Sequence, residues 1–233
     1  MIIWGGSSGL TFLDTGARFN PASNTWMPTS DNNAPTPRHG HTAVWTGSEM
    51  IVWGGFSWAI SYQNSGARYN PATDTWTATS VAGAPERRTA HHATWTGSEM
   101  LVWGGSATNT FNSGGRYNPL ADQWMAMSTA GAPSVVLTGT AFTGNKFLVW
   151  GGMKDYPNAT YTGAAYDLES NTWTPTLATN SFAVQMPSAR YAHAACWTGT
   201  EMLIWGGMHG PNNPVADTYG YAPARRFYLY LKP

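Results

Sequence analysis

Apolar residues in this chain gather in short unbroken runs with no helical period. Five runs each stop at a glycine pair: "IIW" before Gly5-Gly6, "MIVW" before Gly54-Gly55, "MLVW" before Gly104-Gly105, "FLVW" before Gly151-Gly152 and "MLIW" before Gly206-Gly207. A strand apolar at successive positions must be covered on both faces. Other phrases return around each run in fixed order. "RHGHTAVWTG", "RTAHHATWTG" and "RYAHAACWTG" precede three of the runs, with "VLTGTAFTG" as a weaker copy. "GARFNPASNTW", "GARYNPATDTW", "GGRYNPLADQW" and "GAAYDLESNTW" follow four of them. The glycine pairs are 49, 50, 47 and 55 positions apart, so the chain repeats at a period near fifty.

Each repeat predicts four short strands. "HTAVW" is strand a, "TGSE" a tight turn and "MIVW" strand b, which the glycines end; strand c closes on "RYNP", where Pro71 and its equivalents punctuate a hairpin. "TDTWTATS" alternates polar and apolar as an outer strand d should. Four antiparallel strands repeated about every fifty residues match the blade of a β-propeller.

At these residues the chain resembles the kelch-repeat family. Paired glycines end an apolar strand, an aromatic residue follows (Phe19, Tyr69, Tyr117, Tyr166), and a Trp stands seven positions beyond it (Trp26, Trp76, Trp124, Trp173). The resemblance covers nearly the whole chain and implies an all-β, kelch-type propeller of about five four-stranded antiparallel blades, one of them incomplete. Residues 1–233 then form a single domain, or a fragment of a longer propeller.

The incomplete blade is the first, which lacks strand a. Aligning "YGYAPARRFYL" on "ARFNPASNTWM" sets Tyr221 on Phe19, Pro223 on Pro21 and Tyr228 on Trp26, which makes the C-terminus strands c and d of a fifth blade. In kelch propellers the C-terminus can instead supply the first blade's inner strand, and both readings stand at this point.

Composition narrows the partners. Charged residues are 10% of the chain, against about 25% in ordinary domains, and twelve basic residues balance twelve acidic ones. No basic stripe is present to hold nucleic acid or an anionic membrane. No cationic stretch precedes an apolar core at the N-terminus, and no apolar run approaches a membrane span, so neither signal peptide nor membrane insertion is expected. The single Cys196 excludes an internal disulfide framework. Low charge with abundant Thr, Asn, Gly and Trp suggests an exported bacterial protein, secreted or held at the cell surface.

Most residues that look chemical have a place in the repeat. Twelve of the thirteen Trp fall on strands a, b or d, and only Trp58 lies outside. His41, His91 and His193 recur in register, as do Arg38, Arg88 and Arg190. Equivalent positions in separate blades are too far apart to share an ion, so no metal is expected. Cys196 stands where Val44 does and reads as packing. Repeat four carries Lys146 and Ala165 where others have Glu49 and Arg68, the loss of a Glu-Arg contact. No catalytic set and no cofactor site is recognisable, although a sugar mutarotase, isomerase or oxidase-like kelch propeller could place its groups among Arg38, Glu86, Arg88 and Arg190.

The repeats differ where b–c and d–a connections share one face: "FSWAISYQNS", "SATNTFNS", "MKDYPNATYT", "MHGPNNPVADT" and "NSFAVQMPSA". These loops set Trp58, Tyr62, Phe111, Tyr156, Tyr161 and Phe182 among neutral polar residues. Aromatic rings beside Asn, Ser and Thr suit a glycan or an uncharged protein or peptide segment. The expected function is a non-catalytic binding scaffold with Trp58, Tyr62, Phe111, Tyr156 and Tyr161, joined by Arg38, Arg88 and Arg190, as its ligand-binding residues. A purely structural module of a larger surface protein is the other non-enzymatic reading.

Overall fold

The computed structural model describes residues 1–155, 158–176, 187–222 and 226–230, the last stretch and Asp155 by backbone alone. Every regular element among them is a β-strand. In the second sheet, strands a to d are Thr42–Trp45, Met50–Trp53, Gly66–Asn70 and Thr75–Ala78, hydrogen-bonded in that order. The third repeats this with His92–Trp95, Met100–Trp103, Gly114–Asn118 and Gln123–Ala126; the fourth with Gly139–Phe142, Lys146–Trp150, Gly163–Asp167 and Thr172–Pro175. The first has only b, c and d, as Ile2–Trp4, Gly16–Asn20 and Thr25–Pro28.

The fifth sheet contains Ala194–Trp197, Met202–Trp205, Thr218–Ala222 and Arg226–Tyr230, so the C-terminal strand is an outer strand d. Its register differs by one residue from the sequence alignment. Tyr221 pairs with Phe227, not Tyr228, whereas Phe19 pairs with Trp26 and Tyr69 with Trp76. Ala222 and Arg226 are the paired residues there, four positions apart, against five between Asn70 and Thr75.

The described residues divide into two compact units, Met1–Thr108 with Gly115–Ala126 and Asn109–Gly114 with Met127–Pro233. In the first unit, strand b of the second sheet is buried on both sides, as its unbroken apolar run requires. Met50 and Val52 pack with Trp4 of the first sheet, and Ile51 and Trp53 with Met100, Val102 and Tyr117 of the third. In the second unit Leu148 and Trp150 pack with Met202 and Ile204. Each such side chain contributes about 1.5–3 kcal/mol by leaving water. In the fifth sheet Trp205 is 57% exposed. Cys196, expected to pack, is exposed as well, because the third position of strand a looks the same way.

Why the glycine pair returns is clear at Gly54-Gly55. Their φ angles are 71° and 97°, a left-handed region that side chains disfavour. A Cβ on Gly54 would stand 2.5 Å from His91 Cε1, and one on Gly55 2.7 Å from the His39 carbonyl. Two conditions, conformation and space, therefore select glycine.

The recurring polar residues link successive sheets. Tyr117 Oη donates to Asp122 Oδ1 (2.6 Å), which also accepts the Ser80 amide (2.8 Å), and the Trp124 indole donates to the Ser80 carbonyl (2.9 Å). Tyr69, Asp74, Trp76 and Ser30 repeat this link, as do Tyr166, Asn171, Trp173 and Ser128 in the second unit. Within strand c's turn, Asn20 and Asn70 side chains accept amides two residues on, which explains the Asn-Pro signature. The Glu49–Arg68 contact is 3.6 Å, and Glu99–Arg116 is tighter at 2.6 Å.

Candidate ligand-binding face

In the second sheet the b–c connection is itself a small hairpin, Phe56–Ser57 with Ser61–Tyr62, and it meets the d–a connection directly. His39 and Phe56 exchange backbone bonds of 3.0 and 2.8 Å. The first sheet's connection forms a matching hairpin, Ser7–Ser8 with Thr11–Phe12. Five rings converge where these segments meet. Trp58 lies parallel to Phe12, with centroids 5.4 Å apart and planes 7° apart, and meets the edge of Phe56 at 5.3 Å. Tyr62 packs against Phe56 at 5.2 Å, and His39 touches Phe12 at 4.4 Å. Trp58 is 69% exposed, so one indole face is supported and the other is open to solvent.

Trp58 and Tyr62 are thus brought together. Sequence reading missed Phe12 and His39. The signal was present: His39 stands where Thr89, Val136 and Tyr191 do, so its imidazole has no repeat role, and "SSGLTFLDT" is the first repeat's counterpart of the Trp58 loop.

In the second unit Tyr161 is exposed and Phe111 half-buried. The Phe111 loop is tied to the fourth sheet's hairpin by Thr110 Oγ1, which donates to the Lys154 carbonyl at 3.1 Å. Tyr156 and Phe182 lie outside the described residues.

The three arginines are placed differently from the rings. All are buried. Arg38 Nη1 donates to the carbonyls of Gly54 (3.0 Å) and Ser65 (2.9 Å), and its Nε donates to the Thr36 carbonyl (3.0 Å). Arg88 and Arg190 repeat the bond to Gly104 and Gly206 at 2.8 and 3.0 Å. Their guanidinium groups hold the glycine turn beneath the loops. Burial pulls Arg38 and Arg88 down to about 10. Arg190 adds a two-pronged pair with Asp217 (2.5 and 3.1 Å), whose hydrogen bonds hold that carboxyl below its usual range. Glu86 is exposed, and its backbone carbonyl accepts from Arg88 Nε (2.8 Å).

The histidines in register also serve packing. His41 meets Trp4 edge-on at 5.3 Å, His91 meets Trp53 at 5.1 Å and His193 meets Trp150 at 5.5 Å. In the fourth sheet the Thr138 hydroxyl takes that position and donates to the Trp150 carbonyl (2.7 Å). Burial lowers His41 to about 4 and His91 to about 3, so both are neutral at pH 7. Among the described residues no three His, Cys, Asp or Glu side chains converge in a way that could hold a metal ion.

The Attractin/LZTR1 beta-propeller family model matches residues 1–214. The chain belongs to that family. Membership fits the repeated antiparallel four-stranded sheets and makes the fold a kelch-like β-propeller. No curated protein matches the chain. For an Attractin/LZTR1-type propeller, the scaffold residues of this chain are those that recur from sheet to sheet, and the cluster at Trp58 is what remains unexplained by them.

Proposed function

We propose that the protein is a non-catalytic binding scaffold whose b–c and d–a loops take a neutral carbohydrate, with an uncharged peptide segment as the second class of ligand. One observation carries the reading: Trp58 presents a bare indole face, while Phe12 and Phe56 hold the other face and the edge in place. A rigid aromatic plane binds the apolar face of a sugar ring without first having to be ordered. Tyr62 and His39 stand beside it with polar edges that can orient hydroxyl groups. No carboxylate, lysine or arginine side chain belongs to the five-ring cluster, which favours a neutral ligand. Tyr161, Phe111 and Tyr156 extend the same ligand class to the second unit's loops, and the arginines support the loops from beneath.

Screening the full chain on glycan and peptide arrays tests the assignment. Binding to a neutral glycan that Trp58→Ala removes, with the melting temperature retained, supports it. Binding that survives Trp58→Ala and Tyr62→Ala together overturns it, and so does turnover of the sugar that is bound.

A further inference from the structure

The Trp58 hairpin breaks a rule of its own turn. It pairs Phe56 with Tyr62 and Ser57 with Ser61, and the three residues between are closed by the Ile60 amide, which donates to the Ser57 carbonyl at 3.4 Å. The chain then passes through the left-handed region at the next residue, where such loops use glycine. Here that residue is Ser61, with φ of 74°. Two strands of two residues each are too short to impose a disfavoured conformation on their own turn. Something else holds it.

The holder lies beneath the loop. Gln63 is 6% exposed, and its Nε2 donates to the Ser61 carbonyl at 2.9 Å. Its Oε1 accepts from Ser65 Oγ at 3.3 Å, and Ser65 Oγ in turn accepts from Arg38 Nη2, also at 3.3 Å. Both ends fix the direction of this chain of bonds. A guanidinium only donates and a carbonyl only accepts, so the Ser65 hydroxyl hydrogen turns to Gln63 and the Gln63 amide has one orientation.

The repeat does not ask for a glutamine here. The Gln63 main-chain amide donates to the Gly55 carbonyl at 2.8 Å, and Leu13, Thr160 and Val215 make the same bond to Gly6, Gly152 and Gly207. Leucine, threonine and valine therefore serve the scaffold at this position. The glutamine stands under the hairpin that carries Trp58.

We propose that Gln63 is a positioning residue for the loop face: by holding the Ser61 carbonyl it keeps the hairpin in the left-handed turn that lays the Trp58 indole on Phe12. The inference rests on the reading of Trp58 as the ligand platform, and it identifies what sets that platform before a ligand arrives. Gln63 acts through Ser61 and does not itself touch the ligand. A loop ordered in advance loses less entropy on binding.

The test labels the full chain with 5-fluorotryptophan and follows the Trp58 fluorine resonance, assigned by its absence in Trp58→Ala. Phe12→Ala marks where that resonance lies once the stack is lost. Gln63→Leu, which carries the side chain found at position 13, should move the Trp58 resonance towards that mark and leave those of Trp76 and Trp124 in place. Adding Ser61→Gly should bring it back, because glycine takes this φ unaided. A glutamine that merely packed would not be rescued from two residues away. If Gln63→Leu does not fold, Ser65→Ala replaces it: the hydroxyl link is lost, the bond from Arg38 Nη1 to the Ser65 carbonyl (2.9 Å) remains, and the same shift and rescue are expected. A Trp58 resonance that stays in place overturns the proposal, even if the melting temperature falls, and so does a shift that Ser61→Gly fails to reverse. No ligand enters the measurement, so its outcome is independent of the array screen.

Discussion

The Trp58 indole rests flat on the phenyl ring of Phe12, one residue from the second sheet's hairpin and the other from the first's. Neither ring is required by its own sheet. Their stacking joins two loops that differ in sequence into one aromatic surface.

Trp58→Ala should therefore reduce ligand affinity by tenfold or more, at a stability cost of only about 0.5–1.5 kcal/mol for the lost ring contacts. Phe12→Ala should cost affinity as well without touching the ligand, because the indole loses its backing. Paired melting curves and binding isotherms on both variants measure this, and wild-type affinity in Phe12→Ala would show that the stack does not orient the indole.

Removing a link between sheets should be felt as stability alone. Asp122→Ala leaves Tyr117 Oη and the Ser80 amide without their acceptor, a loss of about 1–3 kcal/mol in urea unfolding. Asp122→Asn should recover most of it. Asn171 makes the same two bonds in the fourth sheet, and asparagine tolerates the φ of 52° found at Asp122.

Gly54→Ala and Gly55→Ala should each destabilise by about 2–4 kcal/mol, combining a left-handed backbone with a Cβ that has no room. Gly47→Ala is the useful contrast: φ is 104° but nothing lies within 4 Å of the added carbon. Its smaller loss would give the conformational share alone. Equal losses at all three positions would mean that close approach to His91 and His39 contributes nothing.

Acid should weaken the fold in two stages. His91 is depressed first by burial and then by Arg88, His92 and His41; His41 is depressed by burial and Arg38, and His92 by burial. Unfolded histidine titrates near 6.5, so between that pH and about 4 the unfolded chain binds more protons than the folded one. Stability is complete above 6.5 and declines as pH falls through this window, by about 1.4 kcal/mol for each unit of depression. Below about 4 the carboxylates of Asp74, Asp122 and Asp217, held low by hydrogen bonds to Tyr69, Tyr117 and Arg190, begin to lose their contribution. Melting temperatures measured from pH 8 to pH 3 would reveal both stages, and a flat profile between 6.5 and 4 would contradict the burial of the imidazoles.

The sheets were readable in the sequence because repetition multiplies weak signals: one Gly-Gly says little, but five pairs in register, each after an apolar run, leave one architecture. Strand d of the fifth sheet was readable too, although its register was not, since four positions in place of five between the paired residues leave no mark on the apolar pattern. The functions of Arg38, Arg88 and Arg190 were hidden for a physical reason. An arginine that binds backbone carbonyls and one that binds a ligand look the same in sequence, and only burial separates them. Phe12 and His39 were hidden because their significance lies in what they touch across two loops, not in spacing along the chain. Cys196 was misread because the repeat sets it level with Val44 and Ala141, which are buried between sheets of their own unit, whereas Cys196 itself is exposed.

The pairing of His39 with Phe56 has a consequence for how such a protein changes over generations. The same two-way bridge joins Thr89 to Ser106, Val136 to Met153 and Tyr191 to Met208, with main-chain atoms alone. A clasp made of peptide groups is blind to the side chains mounted on it. Selection can therefore rewrite the chemistry of one loop without renegotiating its anchorage, and a grafted hairpin of foreign sequence should seat itself provided that it presents its backbone at that one position.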